Sequence, residues 1–190
     1  MKTKNVMIVG VGGQGSLLAS KLFGKLLTQK GYDVKVSEVH GMSQRGGSVV
    51  TYVRYGDKVY SPIIDKGEAD LIIAFELLEA SRYTSFLKED GAIIVNTQEI
   101  NPMPVITGAA KYPSELEAKM KALGIKVDAM DALKLAEEAG SPKAVNIVLM
   151  GRASKYFDFP EEEWIETIKK SVPEKFAEMN IKAFKLGRHN

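Results

Sequence analysis

Val6-Met7-Ile8-Val9-Gly10-Val11-Gly12-Gly13-Gln14-Gly15 decides how the chain is read. Four apolar residues in succession mark a strand buried on both faces, as in a parallel sheet covered by helices. The glycine turn then opens a helix, because Leu17, Leu18, Leu22, Phe23, Leu26 and Leu27 recur at helical spacing and Gly31 stands where a C-cap belongs. Strand, glycine turn and helix in that order present backbone amides at a helix N-terminus. Residues 33–39 read as a second strand carrying Glu38 near its end. If residues 6–9 and 34–37 are neighbours in one parallel sheet, both following turns leave from carboxyl ends and meet on one rim, where open sheets bind ligands.

The second turn is His40-Gly41-Met42-Ser43-Gln44-Arg45-Gly46-Gly47. It has no hydrophobic period, and its glycines let backbone approach something closely. Arg45 offers a planar fork of donors suited to carboxylate or phosphate. The ligand- or partner-facing candidates are therefore Gly10, Gly12, Gly13, Gln14, Gly15, His40, Ser43, Gln44, Arg45, Gly46 and Gly47. Gly10-x-Gly12-x-x-Gly15 also meets the dinucleotide-binding template, with Glu38 placed for a ribose hydroxyl pair. The same glycines serve a tight turn and close helix–strand packing, so the fingerprint alone leaves an NAD(P) site and a plain structural turn both open. His40 by itself reads as a hydrogen-bonded structural histidine and Asn146 as a satisfied buried amide.

Beyond the loop, residues 47–60 alternate as strands do and turn at Gly56-Asp57, which predicts a β-hairpin insertion with residues 58–60 as its returning arm. Residues 70–75 and 92–96 are further strands, with a helix over 76–87 between them. Ser114 and Glu117 form a capping-box pattern for a helix to Leu123. Residues 126–130 are a short strand, and Asp131 opens a helix that stops at Gly140. Residues 144–150 are apolar nearly all round, a helix buried in the core or covered by another chain. Trp164, Phe157 and Phe159 suit a core or an interface. The final helices open at Pro160 and Pro173, and Gly187 is expected to end the last. The fold class is α/β: a Rossmann-like, mostly parallel sheet flanked by helices, with the hairpin insertion after the second strand and a helical C-terminus. At 190 residues, the chain is read as one domain, 1–190.

Composition excludes several chemistries. Cysteine is absent, so the chain offers no disulfide, thiolate nucleophile or thiolate ligand for zinc or an iron–sulfur cluster. Its two histidines, His40 and His189, do not make a metal site, so none is expected. A formal charge of +2 with basic and acidic residues interspersed argues against a nucleic-acid partner. No stretch approaches the roughly 20 apolar residues of a membrane span, and the short apolar run after Lys2 and Lys4 lacks a signal-peptide pattern. A cytoplasmic, soluble protein is expected. No nucleophile–base pair or paired carboxylates stand out, so no catalytic residue is assigned to this chain.

Gly10-Val11-Gly12-Gly13-Gln14-Gly15, Gly41-Met42-Ser43-Gln44-Arg45-Gly46-Gly47, Val53-Arg54-Tyr55-Gly56 and Ser61-Pro62-Ile63-Ile64 together resemble the gamma-type domain of the 2-oxoacid:ferredoxin oxidoreductases. The resemblance continues through Glu68-Ala69-Asp70, Glu76 and Glu79, residues 146–151, Asn180 and Gly187, and is closest to the indolepyruvate branch. It implies a subunit, inactive alone, of an enzyme that converts an aryl 2-oxoacid and coenzyme A to acyl-CoA and CO2 while reducing ferredoxin. It further implies that thiamine diphosphate and the iron–sulfur clusters belong to a large alpha subunit, with no cofactor held by this chain alone. The gamma subunit of a pyruvate or branched-chain 2-oxoacid enzyme, and a stand-alone NAD(P)-binding Rossmann protein, are the alternatives.

Overall fold

The computed structural model describes residues 2–39 and 46–190. Its centre is a six-stranded sheet in the order β2-β3-β1-β4-β5-β6, formed by β1 (Lys4–Val11), β2 (Asp33–Val39), β3 (Ser48–Gly56), β4 (Ala69–Ala74), β5 (Leu87–Asn96) and β6 (Lys126–Met130). β1 pairs parallel with β4, β4 with β5 and β5 with β6, whereas β3 is antiparallel to both β1 and β2. Two antiparallel steps restore the direction, so β2 still runs the same way as β1.

The alternation along β1 sorts the core. Val6 and Ile8 point to one face, covered by α1 (Ser16–Gln29), α5 (Ala132–Ala139), α6 (Val145–Ala153), α7 (Glu161–Lys169) and α8 (Ala177–His189). Met7 and Val9 point to the other, where α2 (Leu77–Arg82) and α4 (Leu116–Ala122) pack. A short α3 (Met103–Ile106) lies in the connection after β5. All four residues 6–9 are buried, as a strand covered on both sides requires. Residues 145–151 are buried under α8, so the apolar helix is core of this chain. Trp164 stacks between Phe23 and Phe184 and meets Phe157 and Phe159, which places those aromatics in the core as well.

Five local expectations are corrected. Residues 58–60 do not return as a hairpin arm: β3 spends its edges on β2 and β1 instead. The chain beyond Gly56 is held by side chains, with Val59 N donating to Asp33 Oδ2 at 2.9 Å and Arg54 donating to the carbonyls of Ser61 and Ile63 at 3.1 and 2.7 Å. It follows that β1 and β2 are not neighbours, although their carboxyl ends do share a rim. The helix over 76–87 is shorter, ending at Arg82 before a 3-10 turn, because β5 already begins at Leu87. Ser114 does not cap α4; the cap is Glu115, in the left-handed region at φ 59°.

The fifth correction is Gly187, which lies inside α8 and does not end it. A Cβ there would stand 1.9 Å from the Val148 carbonyl oxygen, and one on Gly151 would stand 2.1 Å from that of Phe184. Two facing glycines thus let α6 and α8 cross backbone to backbone.

Candidate functional site

The glycine turn after β1 is tied down by its own glutamine. Gln14 Oε1 accepts from Val11 N at 2.8 Å, and Nε2 donates to the Phe75 carbonyl at 3.0 Å and to Gln98 Oε1 at 3.4 Å. That side chain therefore links the carboxyl ends of β1, β4 and β5. It also explains Gly10, whose Cβ would sit 2.9 Å from both Gln14 Oε1 and Phe75 Cβ. Gly15 caps α1 at φ 88°, and a Cβ there would meet Asn146 Nδ2 at 2.9 Å. Asn146 is satisfied: it donates to the Gly15 carbonyl at 3.3 Å and accepts from Ile147 N at 2.9 Å.

The returning end of the second turn joins the first. Gly12 N donates to the Gly47 carbonyl at 2.8 Å, and Gly46 N donates to the Gly12 carbonyl at 3.3 Å. The structure therefore brings Gly10, Gly12, Gly13, Gln14, Gly15, Gly46 and Gly47 together on one rim. His40, Ser43, Gln44 and Arg45 lie outside the described residues.

A pocket opens on either side of this bridge. One, of about 320 Å³, is lined by Gly12, Gly13, Gly15, Ser16, Leu17, Glu38 and Val49. Glu38 does face the glycine turn, but from a strand two places away. β3 occupies the position that the second strand of a dinucleotide fold takes, and Gly47 already engages the Gly12 amide.

The other pocket, of about 220 Å³, lies between the start of β3 and α2. Its polar wall is Ser48, Glu76, Glu79 and Arg82, and its apolar wall includes Leu78, Ile100, Pro102 and Met103. Glu76 is fully engaged in structure. It caps α2 by accepting from Glu79 N at 2.8 Å, and it accepts from Ile100 N at 3.0 Å and from Tyr112 OH at 2.5 Å. Tyr112 OH in turn accepts from Leu78 N at 3.1 Å. Burial, and then the Glu76 carboxylate, push the Tyr112 phenol far above its usual range.

Glu79 is also buried; it accepts from the Ser48 hydroxyl and forms an ion pair with Arg82, whose Nε lies 3.2 Å away. Burial raises its carboxyl above the usual range, opposed by Ser48 and Arg82 and reinforced by Glu76. In the sequence, Glu76 and Glu79 stand at the start of a helix, where acids suit its dipole, and otherwise enter only through the family resemblance. Their convergence with Ser48 and Tyr112 was hidden, because those partners come from distant segments, whereas Arg82 lies three residues from Glu79 on the same helix and its i,i+3 spacing was the signal available. Among the described residues, no cluster of His, Asp and Glu is arranged for a metal, and no helix is long and apolar enough to cross a membrane.

Residues 5–189 match the family model described as pyruvate ferredoxin/flavodoxin oxidoreductase. The indolepyruvate oxidoreductase subunit IorB of Thermococcus kodakarensis is 46% identical over 98% of this chain and 95% of its own length. The common gamma subunit of the pyruvate/ketoisovalerate oxidoreductases of Pyrococcus abyssi is 28% identical over 92% of this chain and 89% of its own. Among solved structures, the pyruvate oxidoreductase subunit PORC of Thermotoga maritima shares the fold with a TM-score of 0.75. At 20% identity, that match covers 100% of this chain and 97% of the other.

Proposed function

The chain belongs to the pyruvate ferredoxin/flavodoxin oxidoreductase family, and from that premise we propose that it is the small subunit of an indolepyruvate:ferredoxin oxidoreductase. The observation that carries the reading is the gap between 46% identity to an indolepyruvate subunit and 28% to a pyruvate/ketoisovalerate gamma subunit, both nearly full length. In this reading, residues 1–190 are one gamma-type domain acting in the cytoplasm, inactive without a large partner.

The complex converts an aryl 2-oxoacid and coenzyme A to acyl-CoA and CO2, and two electrons leave to ferredoxin. Thiamine diphosphate and the iron–sulfur clusters belong to the partner. A chain without cysteine supplies no thiolate to a cluster, which supports that division. What this chain contributes is a shaped rim. Gln14 fixes the glycine turn, the Gly12–Gly47 bridge holds the second turn against the first, and side chains are absent where backbone can be approached. The ligand- or partner-facing surface is assigned to this rim, including Arg45, whose guanidinium suits a carboxylate or phosphate.

A stand-alone dinucleotide site draws on the pocket that Glu38 shares with Gly12 and Gly15. It is disfavoured by β3, which separates Glu38's strand from β1. The test is co-purification with the large partner and a 2-oxoacid panel with viologen as acceptor. Indolepyruvate or phenylpyruvate should give the highest kcat/KM, and the single chain should give no turnover. Preference for pyruvate or 2-oxoisovalerate would move the chain to the common-gamma class. Micromolar NAD affinity in the single chain, lost in Glu38→Ala, would favour the dehydrogenase reading.

A further inference from the structure

The pocket between β3 and α2 contains a feature that packing does not require. Glu79 has a side chain only 7% exposed, and a buried carboxylate is costly unless paired. Its partners are the Ser48 hydroxyl and Nε of Arg82, a side chain that is itself 51% exposed. The ion pair engages Arg82 at Nε and leaves the two terminal nitrogens, which make no hydrogen bond among the described residues. Those two nitrogens, in their fork geometry, suit a planar carboxylate held by two parallel bonds. Leu78, Ile100, Pro102 and Met103 supply an apolar wall beside it, and the backbone of Gly46 and Gly47 closes another side.

We propose that this pocket is a binding site for a small monocarboxylate with an apolar body, held by Arg82 and buttressed by Glu79 and Ser48. The charge distribution selects the ligand class. Glu76 and Glu79 share the wall with Arg82, so a phosphate dianion meets more repulsion than a single carboxylate does. A monoanion has a further relief: Glu79, already raised by burial, takes up a proton as the ligand charge arrives. Binding therefore carries a proton with it and tightens as pH falls. Arg54 and Lys35 face other surfaces through their bonds to Ser61, Ile63 and Asp33, and among the described residues Arg82 is the cation that lines this pocket.

The proposal does not rest on the substrate assigned above, because its test needs neither partner nor turnover. The full chain is titrated by calorimetry with phenylacetate, phenylacetamide and inorganic phosphate, at pH 6 and pH 8 and in buffers of different ionisation enthalpy. Phenylacetate should bind at least tenfold tighter than either of the others, more tightly at pH 6, and with net proton uptake. Arg82→Gln should weaken it at least tenfold; because it also unpairs the buried Glu79, its Tm should fall, so binding is measured well below that Tm and in Arg82→Gln/Glu79→Gln, which leaves no unpaired carboxylate and should still bind at least tenfold more weakly. Glu79→Gln, which keeps an acceptor for Arg82 and Ser48, should retain binding but lose its pH dependence and proton uptake. Equal binding of phenylacetamide would reduce the pocket to an apolar slot and overturn the proposal. So would phosphate binding as tightly as phenylacetate, no heat for any probe, or indifference to Arg82→Gln.

Discussion

Gly187→Ala tests the account of the helical layer most sharply, because two physical effects predict opposite signs. Alanine is favoured over glycine in a helix interior by about 1 kcal/mol, so a residue free of tertiary contact would be stabilised. At Gly187 the new Cβ would stand 1.9 Å from the Val148 carbonyl oxygen, 2.8 Å from its carbon and 3.0 Å from its Cα. These are backbone atoms, and no rotamer moves them aside. Restoring an ordinary contact of 3.4 Å opens the α6–α8 crossing by about 1.5 Å, which loosens a core packed to crystal-like density. The separated surfaces include Ile147, Val148, Ala183 and Phe184, all fully buried. Overpacking costs about 1–3 kcal/mol and occasionally more. With rigid backbone on the far side, a net loss of about 3 kcal/mol is expected after the helix-propensity gain. For a chain this long that corresponds to a fall in Tm of roughly 6–12 °C. Scanning calorimetry with urea unfolding measures it, and Gly24→Ala is the control. Gly24 lies within α1, and a Cβ there meets only Val36 Cγ2 at 3.8 Å, so that variant should gain up to about 1 kcal/mol. A Gly187→Ala protein as stable as the wild type would refute the close crossing.

Gln14→Ala should cost about 1–3 kcal/mol, since Val11 N and the Phe75 carbonyl lose their partner at the rim; urea midpoints at constant m-value measure it. Tyr112→Phe should cost about 1–2 kcal/mol by removing the donor to Glu76 and the acceptor for Leu78 N, and equilibrium unfolding reads the difference. Glu79 gives a pH prediction: its carboxyl is raised in the folded chain, so the folded state holds a proton that the unfolded state releases. The Glu79 contribution is then present below the ordinary carboxylate pKa and is lost as pH rises through the raised folded value. Glu79→Gln should flatten that part of the stability–pH profile, and an unchanged slope would show that Glu79 does not titrate there. Arg45→Ala should change the single chain's stability by no more than about 0.5 kcal/mol while lowering the turnover of the reconstituted complex; full activity in an assembled mutant would make Arg45 an ordinary surface residue.

The sequence by itself determined whatever depends on neighbours along the chain. The buried run at residues 6–9, the glycine turn, α1 with its glycine stop, the strand at β6 and the Asp131-capped α5 were legible from periodicity and capping chemistry. The absence of thiolate chemistry was legible from composition alone, and the family resemblance from motifs spread over the chain. The rim was legible too, because both glycine turns follow strands that run in the same direction.

Tertiary structure decided what depends on pairing across distance. An alternating strand has two edges, and nothing within residues 48–56 says that they pair with β1 and β2 instead of with the residues just after Gly56. A helical glycine reads locally as a stop, and only the Val148 carbonyl pressed against Gly187 turns it into a crossing point. Glu79 reads locally as a dipole-complementing acid, and becomes the buttress of a guanidinium only when β3 brings Ser48 against α2. In each case the local signal is degenerate, and the contact that resolves it joins segments brought together only when the sheet and its helices pack.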